Sequence, residues 1–269
     1  MAFEGISLES LLIVAALCAI VAFFYSNLGL GGGQLYVPIM VLAFTSLEMR
    51  EIVPLSLTFA FVTMISATLT HSRKKLVDFK LGLTLALGGL IGVVAGALFT
   101  LNADEWIVKA SFAALLVIVA TKMIYDLYKN RQDNTISPDG FTWKRKMAGV
   151  GISVLTGLLI GSFGIGGGVV SVPLIIYVFR VEARRAIGTS ALMGAILTPA
   201  AFLAYALGAE GSIIIHYDVA FVLAPLIMVM AIIGSTWGLQ KLRTKAVKTI
   251  FTCGVYLAAA GMIYSLLMQ

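Results

Sequence analysis

Charge is what this chain has least of. Asp, Glu, Lys and Arg make up 12% of its 269 residues, while 60% are hydrophobic. A soluble domain carries about 25% charged residues. So few charges cannot cover a water-facing surface, and lipid is the expected solvent for most of the outside. Cysteine is nearly absent too. Cys18 and Cys253 both lie inside apolar runs, with no CxxC or Cys/His spacing around them. That excludes a disulfide scaffold and a zinc site, and no cofactor is expected. The first ten residues hold no Lys or Arg. They lack the basic start of a secretory signal, so the first apolar run is expected to be retained structure.

Deep carboxylates are missing as well. Glu51 and Glu182 fall near the ends of apolar runs, and Asp126 falls at the end of its run. A proton relay through Asp or Glu is therefore not expected. There are no paired carboxylates, no HExxH and no nucleophile elbow, so the sequence does not read as an enzyme. The net charge of +6 sits in short loops between apolar runs. Membrane orientation accounts for it, and no nucleic-acid partner is expected.

What is present is a series of apolar runs, near 9–27, 34–45, 51–72, 79–101, 103–128, 147–163, 168–179, 186–208, 217–240 and 246–268. Several exceed the ~20 residues that cross a hydrocarbon core of ~30 Å. Backbone groups in lipid must be satisfied internally, which predicts helix throughout. Residues 129–146, KNRQDNTISPDGFTWKRK, are polar and read as a linker between two halves.

The halves match. Gly29-Leu-Gly31-Gly32-Gly33-Gln34-Leu-Tyr36-Val-Pro38 and Gly164-Ile-Gly166-Gly167-Gly168-Val-Val-Ser171-Val-Pro173 both read G-x-G-G-G-x-x-x-V-P. Arg50–Ser56 then aligns with Arg184–Ser190. Two ordered matches at nearly one offset indicate duplication. Four basic clusters hold most cations: Arg73 to Lys80, Lys129 to Lys146, Arg180 to Arg185, and Lys241 to Lys248. The positive-inside rule places all four in the cytoplasm. The run 168–179 is then too short to cross, at ~18 Å for its length. It pairs with 147–163 as a broken or re-entrant hairpin, and 9–45 is its counterpart. The expected fold is an all-α polytopic membrane protein of two inverted repeats, each a hairpin plus three transmembrane helices. Repeat one is 1–128 and repeat two is 147–269. Both termini would lie outside and the linker in the cytoplasm of a multi-pass cell-membrane protein. Arg50 then falls outside near Glu51, Lys109 and Lys122 reach the interfaces by snorkelling, and His71, His216, Trp106, Trp143 and Trp237 are interface residues.

The glycine loops are the strongest functional signal. They are not followed by Lys-Ser/Thr, and Gln34 and Val169 break any G-x-G-x-x-G register, so nucleotide binding is not supported. Each loop opens a helical segment, and its free N–H groups with the positive end of the helix dipole suit an anion. Two such loops would meet near the bilayer middle and share one substrate. The alternative is tight helix packing through small residues. Asn27, Gln34 and Tyr36 beside the first loop and Ser162 and Ser171 beside the second supply candidate polar contacts. Ser56 and Thr58, with Thr189 and Ser190, are a further set. The candidate substrate-binding residues are thus Asn27, Gly29, Gly31, Gly32, Gly33, Gln34, Tyr36, Ser56, Ser162, Gly164, Gly166, Gly167, Gly168, Ser171, Thr189 and Ser190.

At both G-x-G-G-G-x-x-x-V-P stretches and at Gly188-Thr189-Ser190, the chain resembles the sulfite exporter TauE/SafE family of membrane permeases. The resemblance implies transport of organic or inorganic anions, often sulfur oxyanions, with Gly29–Gly33 and Gly164–Gly168 as substrate loops. The first copy departs at Pro54-Leu55, where the second has Gly188-Thr189. The expected function is a secondary carrier for a small anion, hinged near Pro38 and Pro173. An anion channel and a non-transporting receptor or assembly subunit are the rivals. The partners are the anion, the bilayer and a coupling ion, H+ or Na+.

Overall fold

A computed structural model describes residues 6–128, 143–208, 216–241 and 244–267. The expected linker up to residue 142, and most of the loop at 209–218, fall outside them. Among the described residues there are ten α-helices and no strand. They are α1 (Leu8–Tyr25), α2 (Gly33–Ala43), α3 (Met49–Arg73), α4 (Phe79–Asn102), α5 (Glu105–Tyr128), α6 (Trp143–Phe163), α7 (Gly168–Phe179), α8 (Ala183–Gly208), α9 (Tyr217–Lys241) and α10 (Thr244–Leu267).

Helix starts follow local chemistry. Ser7 accepts from the Ser10 N–H to open α1, and Asp78 accepts from the Leu81 N–H to open α4. Glu48 and Glu51 form a capping box at α3. α6 begins at Trp143, earlier than the expected 147. Lys, Arg and Met are good helix formers, and nothing after Gly140 breaks the run.

Five described helices are long and apolar enough to cross a membrane: Leu8–Tyr25, Met49–Arg73, Phe79–Asn102, Ala183–Gly208 and Tyr217–Trp237. α2 and α7 are short and apolar. The outside is as apolar as the core. Leu12, Leu87, Ile91, Phe221 and Leu257 are all more than three-fifths exposed. A water-soluble monomer rarely shows such continuous apolar surface, and lipid removes its cost. Trp106 and Trp237 are exposed as well. The chain is a multi-pass membrane protein.

The packing comes in matched sets. α3 and α8 pack on each other at the centre. α4 lies on α6 and α8, as α9 lies on α1 and α3. α2 packs on α1 and α3, as α7 packs on α6 and α8. α5 pairs with α10. Exchanging the halves maps each of these pairings onto another or onto itself.

Two expectations for charged groups change. Lys109 is buried and pairs with Glu105 at 2.7 Å, one turn away, where snorkelling was expected. Its ammonium reaches back one turn to the carboxylate that opens α5. Arg50 pairs with Glu48. Glu51 accepts from the Glu48 N–H and stands 4.0 Å from His216. The two histidines are also buried in protein, where interface positions were expected. His71 is fully enclosed and His216 nearly so.

Candidate functional site

α2 and α7 both start on a glycine in the left-handed region, Gly32 at φ 83° and Gly167 at φ 80°. An L side chain is strained there, so glycine is what lets the chain turn into the helix. Neither helix has a side-chain cap. The Leu35 and Tyr36 amides donate to the Gly32 carbonyl, and those of Val170 and Ser171 donate to the Gly167 carbonyl. Among the described residues, the amides of Gly33, Gln34, Gly168 and Val169 make no hydrogen bond. These are the orphan donors of two helix N-termini, and all four lie in protein or at most half-exposed.

The loops touch back to back. A Cβ on Gly31 would stand 2.6 Å from the Gly166 Cα, and one on Gly166 would stand 2.5 Å from the Gly31 Cα. A Cβ on Gly33 would overlap the Gly164 carbonyl oxygen. One on Gly168 would overlap the Gly29 carbonyl oxygen. The contact is thus reciprocal: corresponding glycines of the two loops meet each other's backbone. Close packing and exposure of amides occur in the same glycines, so the two sequence readings are not exclusive.

Hydroxyls tie the loops to the central helices in the same reciprocal way. Ser56 on α3 donates to the Gly164 carbonyl at 3.1 Å. Ser190 on α8 donates to the Gly29 carbonyl at 3.3 Å and lies 2.6 Å from Ser171 Oγ. Ser171 also donates to the Gly167 carbonyl at 2.9 Å. These three serines therefore hold the loops. Ser190→Ala removes a hydroxyl with two buried partners, at a cost of ~1–2 kcal/mol. Scanning fluorimetry in detergent should show its melting point fall by about 4 °C, and that of Ser56→Ala by about half as much.

The Tyr36 ring packs against Gly32, 2.7 Å from where a Cβ there would stand, and its hydroxyl is already engaged. Thr63 gives its proton to the Phe59 carbonyl, so the Tyr36 hydroxyl donates to Thr63 Oγ1 at 2.9 Å. Thr58 uses its hydroxyl on the Pro54 carbonyl. Thr189 is drawn to the start of α4, where it accepts from the Asp78 N–H at 3.0 Å. The structure does not bring Thr58 or Thr189 to the loops.

Asn27 Oδ1 and Ser162 Oγ are buried without a hydrogen-bond partner, and the Gln34 amide is buried beside the Tyr25 phenol. Asn27 and Ser162 hold matching positions ahead of the two loops, whereas Gln34 has only Val169 as its counterpart. Buried orphan polar groups are rare because each costs its lost hydration. A narrow apolar gap of about the size of a water molecule lies between Gln34, Gly167 and Thr156 and the Leu115, Leu116 and Leu159 side chains of α5 and α6. Thr156 and the α5 leucines carry no motif, and nothing in the sequence pointed to them.

A family model described as Sulfite exporter TauE/SafE matches residues 14–262. A Bacillus subtilis (strain 168) protein named Probable membrane transporter protein YunE is 30% identical over 183 residues, 61% of this chain and 67% of that relative. A Methanocaldococcus jannaschii protein, also named as a probable membrane transporter, is 28% identical over 240 residues. That covers 86% of this chain and 84% of the relative. A similarly named Haemophilus influenzae protein is 24% identical over 217 residues, 78% of this chain and 79% of the relative. No solved structure matches the chain.

Proposed function

The chain belongs to the sulfite exporter TauE/SafE family, and from that premise we propose that it is a secondary permease of a small anion. The passenger is a sulfur oxyanion, an organosulfonate or a carboxylate. It binds at the N-termini of α2 and α7, on the Gln34 side of the crossed loops. One observation carries this: two uncapped helix starts with free amides meet in the protein core beside the unpartnered polar atoms of Asn27 and Ser162 and the buried amide of Gln34. Amide donors and the helix dipole replace the hydration of a negative charge without burying a Lys or Arg.

The back-to-back contact of the loops supports a carrier over an open pore. The halves are inverted repeats, and alternating access comes from one bundle rocking against the other, with hinges near Pro38 and Pro173. The basic clusters favour a cell-membrane protein with its central linker in the cytoplasm and both termini outside.

Thermal-shift measurements with sulfite, sulfoacetate, ethanesulfonate and acetate test this reading. A ligand at a hundredfold excess over its Kd stabilises by ~2.7 kcal/mol. That should raise the melting point by about 5–10 °C. Gln34→Ala and Asn27→Ala should each lose at least half of the shift. An unchanged melting point with every anion, or a shift as large as that of wild type in both variants, contradicts the proposal.

A further inference from the structure

His71 is fully buried near the end of α3, with the Ser26 carbonyl as the backbone acceptor its ring faces. The permease described above makes no use of it. Its surroundings place it directly behind the first glycine loop. The ring faces the backbone of Ser26, the residue before Asn27 and the stem of that loop. Its Cβ lies against Gly188 of α8, 3.1 Å from where a Cβ there would stand. Gly188 begins the segment whose Ser190 donates to the Gly29 carbonyl. The ring thus faces the loop stem, while the His71 Cβ packs against the helix that clamps the loop.

No carboxylate comes within ion-pair distance of it among the described residues. On its own helix end, Arg73, Lys74 and Lys75 are exposed, and Lys74 acts on it as a like charge. α8 brings Arg184 and Arg185, both exposed. Asp78, half-buried ahead of α4, already accepts from the Leu81 N–H. α9 brings Ser235, which is hydrogen-bonded to Thr70. An imidazolium here has no counter-charge built into the protein, and an unpaired buried charge is costly. An anion held at the neighbouring loop supplies the missing charge.

We propose that His71 is the proton-coupling group: it takes up one proton when the anion binds and gives it up when the anion leaves. On the loading side a ring nitrogen forms an N–H bond with a proton from water. On the unloading side the proton returns to water and the neutral ring resets. One proton thus crosses with each anion, and the net charge moved falls by one. The second half has no equivalent. Tyr205 stands where His71 stands, at the offset that relates Ser56 to Ser190, and its hydroxyl is committed to the Gly161 carbonyl at 2.8 Å. The proposal rests on the permease reading.

The test is anion accumulation in proteoliposomes with the membrane potential clamped. The probes are radiolabelled sulfite and ethanesulfonate. One coupled proton lets a pH gradient of about one unit sustain about a tenfold accumulation, since a tenfold ratio on one side balances a tenfold ratio on the other. Wild type should accumulate a probe to that extent. His71→Gln should still equilibrate the probe but lose the gradient-driven accumulation. Any protonation of sulfite itself acts equally on both proteins and cancels in the comparison. Undiminished accumulation by His71→Gln overturns the coupling role and leaves the permease standing. If wild type carries no probe, both proposals fall.

A second measurement leaves His71 intact. His71 and His216 are the two histidines of the chain. In His216→Gln protein, carbon-13 histidine resonances in nanodiscs therefore report His71 alone. Saturating sulfite at neutral pH should convert a neutral ring to the protonated form. A ring state that does not respond to sulfite overturns the proposal even if His71→Gln fails to fold.

Discussion

Gly33→Ala and Gly168→Ala should each abolish transport and sharply reduce the yield of folded protein. At Gly33 the added methyl falls on the Gly164 carbonyl oxygen and 2.8 Å from its carbon. At Gly168 it falls on the Gly29 carbonyl oxygen and 2.5 Å from the Leu30 Cα. Every obstacle is backbone, so no side chain can swing aside. The loops must separate, which breaks the Ser56 and Ser190 hydrogen bonds and misaligns both helix starts. Overpacking costs ~1–3 kcal/mol where side chains can yield, and rigid backbone on both sides puts these two at or above the top of that range. Gly151→Ala is the control, since nothing lies within 4 Å of its added methyl. Fluorescence-detected size-exclusion chromatography and uptake should both separate the loop variants from the control. A loop variant that behaves like Gly151→Ala would contradict the back-to-back contact.

The next-largest effect is expected where α4 lies on α6. A methyl on Gly92 would overlap the Val154 carbonyl oxygen, and one on Gly157 would overlap the Gly89 carbonyl oxygen. Gly96 and Gly161 repeat the pattern against Leu158 and Val93. With lipid tails as apolar as leucine, close approach through small residues is what makes two helices prefer each other. Gly92→Leu should force the pair apart and cost at least ~3 kcal/mol. Its melting point should drop by about 6 °C or more. α6 leads directly into the second glycine loop, so uptake should fall with it. Leu87→Ala and Ile91→Ala, on the exposed side of the same helix, should barely change the melting point. Equal losses on the two sides would mean that α4 does not use its glycine face.

The helices were legible in the sequence because lipid leaves so few options. A long apolar run has to satisfy its own backbone, and Leu8–Tyr25 and Met49–Arg73, whose charges fall only near their ends, do so as helices. The short runs at 34–45 and 168–179 were legible as interrupted segments because the basic clusters left no room for a crossing. The glycine loops stood out because glycine in series is costly in a helix. Which face of each helix looks inward was not legible. On α1, Leu11 and Val14 are buried while Leu12 and Ile13 are exposed, and all four are equally apolar. In water that distinction is written as polarity; in lipid it is not.

Side-chain partners were hidden for a second reason: they lie far apart along the chain. Ser56 reaches Gly164, and Ser190 reaches Gly29, across more than a hundred residues. The duplication hinted at such symmetry but not at its contacts. Thr189 looked equivalent to its neighbour Ser190, yet one residue further round the helix it serves the start of α4. Lys109 and His71 sit near helix ends, where an interface position is the natural expectation. Their burial follows from packing against α5's own Glu105 and against α8, which no local pattern records.

The central claim is that a negative ion rests on the free amides at the starts of α2 and α7, beside Gln34. Crystals soaked in selenite, a heavier analogue of sulfite, locate such an ion through the anomalous scattering of selenium. The account predicts a peak within hydrogen-bond distance of the Gln34 side chain and the Gly33 or Gly168 amide, which disappears in Gln34→Ala. Selenium ordered at the basic ends of the helices, with none at the crossed loops, would contradict it.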